Sequence, residues 1–440
     1  MRARAGSVVL FVALALLLSG CGERSNLPEA AGFGPSPTIP APNETLLPTL
    51  HSPEHKGWAP GATPAAANGL QVNLFAEGLD HPRWLYVLPN GDVLAAETNA
   101  PPRPDDGKGI KGKVMQMVMK RSGLATPSAN RITLLRDADG DGRAEVREVF
   151  LGGLNSPFGM ALVGGNLYVA STDALMRFPY EPGQTRITAT GVKLADLPGG
   201  TLNHHWTKNL VASADGKRLY VSVGSNSNAA ENGIEVEDGR AAIWEFDVAT
   251  GAGRVFASGL RNPVGMDWEP ASGALWTAVN ERDELGSDLV PDYMTRVREG
   301  DFYGWPYSYF GRHVDTRVEP PRPDLVAQAR VPDYALGNHT ASLGLAFAPP
   351  GAWSGRFAQG AFIGQHGSWN RKPLSGYKVI FVPFANGKPS GPAQDVLTGF
   401  LDADDNARGR PVGIAIAADG AVLVADDVGN AVWRVVPAGQ

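Results

Sequence analysis

The chain has 440 residues, 39 lysines and arginines against 45 aspartates and glutamates, and a single cysteine. This length serves one large domain or two medium ones, the acidic balance disfavours nucleic acid as a partner, and one cysteine excludes a disulfide within the chain. It has no Gly-x-Ser-x-Gly, His-Glu-x-x-His, Walker loop or dinucleotide fingerprint, so hydrolase and nicotinamide readings lose their usual support.

Residues 1–20 join Arg2 and Arg4 to an apolar run at 8–18. About a dozen residues is too short for a permanent span of roughly 20, so the segment reads as a secretory signal that is removed. Its end, Leu18-Ser19-Gly20-Cys21, resembles a bacterial lipobox. That implies lipidation of Cys21 and an exported protein anchored to a membrane on its periplasmic or extracellular side. Without Arg2 and Arg4 the mature chain carries a net charge of about −8. Residues 21–69, rich in Pro, Ala, Gly and Ser and without periodicity, read as the lipidated cysteine and a flexible, disordered tether.

From residue 70 onward the apolar segments are short, β-branched or aromatic, and bounded by Gly, Pro, Asn and Asp, as strands are. One unit recurs: an apolar strand, a turn with glycine, and a second apolar strand. It appears at 81–97, 156–171, 205–224, 262–280, 341–367 and 410–427, with turn glycines Gly91, Gly165, Gly216, Gly273, Gly360 and Gly420. Spacings of roughly 50–90 residues leave room for four strands per copy, and each copy has a hydrophobic face that only a neighbour can cover. We therefore expect an all-β, six-bladed β-propeller over residues 70–438. A β-sandwich with a second domain is the rival, and six copies spread over the whole span argue against it.

In the second copy's approach lies Asp137-Ala138-Asp139-Gly140-Asp141-Gly142, with Glu148 twelfth from Asp137. Acidic residues at the first, third, fifth and twelfth positions around a glycine match a calcium loop, here without flanking helices and so structural in role.

In a propeller, the segments leading into the innermost strands meet at one mouth. Here those entry residues are His81 and Arg83; Asn155; Asn203, His204 and His205; Arg261 and Asn262; Asn338 and His339; Arg408 and Arg410. Their positive balance in an acidic protein suits a ligand bearing carboxylates, although arginines also tie blades together through carbonyl oxygens.

The run GLRNPVGMDW, followed by NERDELG and FYGWP, together with NHHWTKNLVASADGKRLYVSVGS and RGRPVGIA, resembles the soluble quinoprotein sugar dehydrogenases, most closely the L-sorbosone dehydrogenase branch. The likeness covers roughly residues 70–438. It implies pyrroloquinoline quinone (PQQ) and calcium as cofactors, a sugar oxidised at its anomeric carbon, and a separate electron acceptor that the sequence does not identify. By the same resemblance His205 is the general base, five residues before Leu210-Val211, with His204 where the glucose enzymes carry an acidic residue. Arg261 would face the quinone and Asn262 would sit beside it. Arg408 and Arg410 would grip cofactor carboxylates, either Arg371 or Lys372 would add a cation, and Asn155 would stand at the mouth. Glu281, Arg282, Asp283 and Glu284 would supply calcium with carboxylate or carbonyl oxygens. The competing readings are a metal-dependent lactonase on a similar ring, which needs converging acidic ligands where these entries are basic, and a tethered carbohydrate-binding propeller without catalysis.

Overall fold

The computed structural model describes residues 23–44, 49–102 and 120–439. The signal and Cys21 lie outside these residues. Six antiparallel sheets of four or more strands follow one another around a ring, each beginning on the innermost strand of a sequence repeat. Blade 1 runs from Pro82–Val87 to Val146–Leu151, blade 2 from Gly159–Val163 to Val192–Asp196, and blade 3 from Leu210–Ala212 to Gly253–Ser258. Blade 4 runs from Pro263–Trp268 to Tyr334–Asn338, and blade 5 from Ser342–Phe347 to Gln394–Thr398. Blade 6 takes three strands from Pro411–Pro437 and its outermost strand, Leu70–Glu77, from the start of the ring. Pro323–Gln328 is a short α-helix in the loop before the outermost strand of blade 4.

Burial explains the composition of the strands. Val93–Glu97, Leu275–Val279, Ser342–Phe347 and Gly360–Gln365 are buried at every position, so they read as continuous apolar runs. The outermost Val192–Asp196 and Gly253–Ser258 are largely exposed and more polar.

The innermost strands touch backbone to backbone, which only glycine permits. A Cβ on Gly265 would lie 2.6 Å from the carbonyl oxygen of Leu343, one on Gly344 2.1 Å from that of Val412, and one on Gly413 2.7 Å from that of Arg83. Gly159 meets the backbone of Asn209 and Leu210 in the same way. In blades 1, 4, 5 and 6 the register shifts at the start of the innermost strand, between Pro82 and Trp84, Pro263 and Met266, Ser342 and Gly344, and Pro411 and Ile414. Such bulges turn a strand and re-aim the side chains at its end, here at the mouth.

Two expectations need correction. Gly360 opens a strand rather than sitting in a turn, because the loop before it is long and holds a short 3₁₀ turn, Gly355–Phe357. More consequentially, the described parts of 23–69 do not form a free tether. They carry little regular structure, as their proline and glycine content implies, yet they lie along the propeller. Phe33–Gly34 adds a strand to blade 4 and Ala65–Ala66 one to blade 5, covering exposed sheet edges. Between them Trp58 donates to buried Asp426 (2.7 Å) and packs edge-on against Phe400 and Trp433, with centroids 5.5 and 5.1 Å away. Composition alone hides such packing because a few anchors hold the whole segment.

The glycine contacts yield a stability prediction. Gly344→Ala forces two backbones apart, and overpacking of this kind costs about 1–3 kcal/mol. Urea unfolding should show a lower midpoint, and Gly351→Ala, at a site with open space around it, provides a control limited to backbone strain.

Candidate active site

On the face of the ring where the innermost strands begin, a cavity of about 750 Å³ opens. Four of the expected entry residues line it: Arg83, His204, His205 and Arg261. The rest of its wall comes mainly from residues after the second strands of blades 1, 3, 4 and 5, including Asn99, Asn228, Asn280, Asp283, His366 and Trp369.

His205 is fixed by Ser225. Its Nδ1 lies 2.9 Å from both the carbonyl oxygen and the Oγ of Ser225. A carbonyl only accepts, so Nδ1 carries the hydrogen and Nε2 keeps the lone pair a base requires. Ser225 thus fixes the orientation of the ring. The same residue donates its backbone N–H to the carbonyl oxygen of Arg261 (2.7 Å), so it sets His205 and Arg261 relative to each other. Gly224 makes this closeness possible: a Cβ there would meet Asn262 Oδ1 at 2.4 Å and His205 Cβ at 2.5 Å. His204 stands edge-on to His205 with ring centroids 5.0 Å apart, its backbone N–H bonded to Asn226 Oδ1.

Arg261 is 1% exposed and held on every side. It donates to the carbonyl oxygens of Asn228 (3.2 Å) and Glu281 (2.6 Å), to Asn228 Oδ1 (2.9 Å) and to Asp283 (3.1 Å). Asp283 also accepts from Asn370 and faces His339 at 3.6 Å. Burial raises its pKa, but His339 and Arg261 outweigh that and hold it below the usual carboxylate value. Asn262 is buried, and its Oδ1 finds no protein partner.

A second buried cluster lies beside the cavity, centred on Asp427. This carboxylate accepts from Arg83 (2.7 Å) and from His366 Nε2 (2.9 Å), and His81 Nε2 stands 3.4 Å away. Burial opposes its ionisation, but the two histidines and Arg83 hold it ionised far below the ordinary range. Burial pushes His81 and His366 down to about 4. Arg410, 1% exposed, lies over Tyr377 at 4.9 Å, and its Nε and one terminal nitrogen have no protein partner.

Other expected residues lie elsewhere. Asn155 is exposed and bonded to Asp173, which draws it away from the cavity. Arg371 is buried but spends its guanidinium on the carbonyl oxygens of Ser287 and Pro373 and on Ser25 Oγ. Lys372 is half-buried and gives its carbonyl oxygen to the N–H of Ser25. Neither it nor Arg408 lines the cavity. Within the acidic loop, the Glu281 carboxylate turns inward to the buried Arg282, whose other nitrogens hold Pro306, Ser308 and Asp315. Those two side chains are therefore structural, leaving Asp283 and Glu284 at the wall.

In the outer acidic loop Asp137, Asp139 and Asp141 come together with Glu145, not with Glu148. Glu148 lies in the strand Val146–Leu151, opposite Leu134, and faces Arg186. The strand begins too early for the twelfth residue to turn back.

Sequence reasoning missed Ser225, His366 and Asp427. Each follows the second strand of a repeat, and the polar character of those exits, from Thr98-Asn99 through Asp427, was the available signal. Their chemistry predicts a pH dependence. The unfolded chain protonates histidine near 6.5, while His81 and His366 resist until about 4. Between these values the unfolded state binds more protons, so stability falls as pH falls. Thermal scans should give a lower midpoint at pH 5 than at pH 7, and His366→Gln should reduce that difference.

The family profile described as TrAA12-like matches residues 124–299 and 325–437. An uncharacterized protein of Borreliella burgdorferi is 27% identical over 297 residues, 64% of this chain and 76% of its own. A pyrroloquinoline quinone-dependent pyranose dehydrogenase of Coprinopsis cinerea is 24% identical over 431 residues; the alignment takes in 84% of this chain but only 54% of that protein's length. The solved holo form of the Coprinopsis cinerea pyranose dehydrogenase PQQ domain superposes with a TM-score of 0.68 at 22% identity, over 88% of this chain and 100% of that one, a likeness of fold. The profile spans well over half of the sequence, and the chain belongs to the TrAA12-like family.

Proposed function

We propose that this protein is a PQQ-dependent dehydrogenase that oxidises a sugar at its anomeric carbon. The observation that carries the reading is a histidine lining the cavity with its Nδ1 committed to Ser225, next to a buried cationic cluster with unspent hydrogen-bonding capacity. Names of the relatives support it.

The residues fit a flat, polyanionic cofactor. A buried guanidinium without partners is costly, and Arg410 leaves two nitrogens unpaired while Arg83 leaves its Nε. Arg83, His366 and Arg410 would hold the cofactor's carboxylates, with Asp427 keeping Arg83 and His366 in place. Bound PQQ would supply a two-electron acceptor for the hydride leaving the sugar carbon. His205 Nε2 takes the hydroxyl proton, because Nδ1 is committed to Ser225. Arg261, immobilised by carbonyl oxygens from two loops, presents fixed positive charge without reorganising. Calcium would find hard oxygens at Asp283, Glu284 and Asn280 Oδ1 on the wall. We further propose export and lipidation at Cys21, supported by the signal and lipobox.

Purified protein reconstituted with PQQ and calcium should reduce a dye when given aldoses or keto-aldehydes, and a chelator should abolish this. His205→Ala should retain the cofactor, read by absorbance, while kcat falls by roughly 10²–10⁴; His204→Ala should cost less. Undiminished turnover in His205→Ala would remove it as the base. Arg410→Ala should weaken PQQ binding by about 1.5–3 kcal/mol, and unchanged affinity would exclude it from the site.

A further inference from the structure

The beginning of the described chain shows how the cavity is presented to its surroundings. Glu23 comes two residues after Cys21, and it is already docked. Its carboxylate accepts the N–H of Ser287 (2.7 Å), and its carbonyl oxygen accepts from Thr49 Oγ1 (3.0 Å). Ser25 donates its N–H to the carbonyl oxygen of Lys372 (2.7 Å) and receives a bond from Arg371 (2.9 Å). Asn26 donates to Asp288 (2.7 Å). Apart from Thr49, which belongs to the arm itself, these partners lie in the loops after the second strands of blades 4 and 5, whose nearby residues Glu284 and Trp369 line the cavity. Two residues beyond Thr49, His51 donates its N–H to the carbonyl oxygen of Trp369 itself (2.8 Å). The arm is therefore fastened to the rim of the mouth from its first described residue.

Tether length decides what this means. A free, flexible stalk over 22–69 would reach roughly 40 Å and impose no orientation. A two-residue leash spans at most about 7 Å. We propose that the lipid on Cys21 holds the cavity mouth against the phospholipid surface, so that the rim formed by the loops at 284–288 and 369–372 is the membrane-facing side and the opposite end of the ring faces away. This rests on the lipid-anchor reading given above and does not depend on which reaction the cavity performs.

The full-length, lipidated protein tests it in vesicles of phosphatidylethanolamine and phosphatidylglycerol. Lipidation blocks the only native thiol, so Asn232→Cys, beside cavity-lining Glu231, and Lys217→Cys, in the turn at the opposite end of blade 3, can each carry a single fluorophore. A quencher on the lipid headgroups should quench the label at 232 several-fold more than the label at 217. Inserting twenty Gly/Ser residues between Gly22 and Glu23 should erase the difference while leaving oxidation with a water-soluble dye unchanged. Equal quenching, stronger quenching at 217, or a difference that survives the spacer would overturn the orientation. Mass analysis of the amino-terminal peptide separates the two readings: a Cys21 without lipid, with the protein in the soluble fraction, overturns the anchor and the orientation with it, whereas a lipidated protein with unequal labels reversed overturns the orientation alone.

Discussion

Everything at the mouth depends on how closely the innermost strands approach one another. At Gly265, Gly344 and Gly413 the neighbouring backbone sits where a side chain would be, and a strand glycine of this kind costs conformational entropy that only close packing offsets. The result is a narrow ring in which bulged strand starts from different blades meet. Arg83, His205 and Arg261 come from three separate blades, yet they face one cavity because the ring leaves them no room to stand apart.

Charge in that confined space is organised so that few groups remain unpaired. Asp283 serves Arg261 and Asn370; Asp427 serves Arg83 and His366. Breaking a buried pair by removing one partner is far more damaging than the pair is stabilising. Exceptions include Arg83 Nε, two guanidinium nitrogens of Arg410 and Asn262 Oδ1, all buried without protein partners. The unpaired guanidinium nitrogens suit an anionic ligand, because leaving them unpaired in the interior is costly.

The sequence made the blades legible because each repeat must bury a face against its neighbour, and the repeat therefore recurs wherever a blade does. It showed half of the site for the same reason: Arg83, His204, His205 and Arg261 stand at or shortly before the start of a recognisable strand. Ser225, His366 and Asp427 stand after the second strand, where loop lengths differ between copies, and their partnership with entry residues of other blades is visible only in three dimensions. For Arg371, one of the two cations that the resemblance offered, a likeness of sequence does not reveal whether its nitrogens face a ligand or Ser287. The arm was misread because its composition describes its backbone freedom and not the seats that Phe33 and Trp58 find on the ring.

The outermost strand of blade 6 carries a further consequence. Leu70–Glu77 pairs along its length with Ala431–Pro437, so the first strand of the ring and the last complete one sheet. The entropy of closing so long a loop grows only logarithmically, about 0.6 kcal/mol for each doubling, but the search is slow when partners lie so far apart in sequence. A chain emerging amino-terminus first must keep residues 70–77 unpaired until nearly all of it has been delivered. Until then that strand is an open edge, able to pair with another copy, and assembly in a crowded compartment becomes a race between the chain's own carboxy-terminal strand and its neighbours.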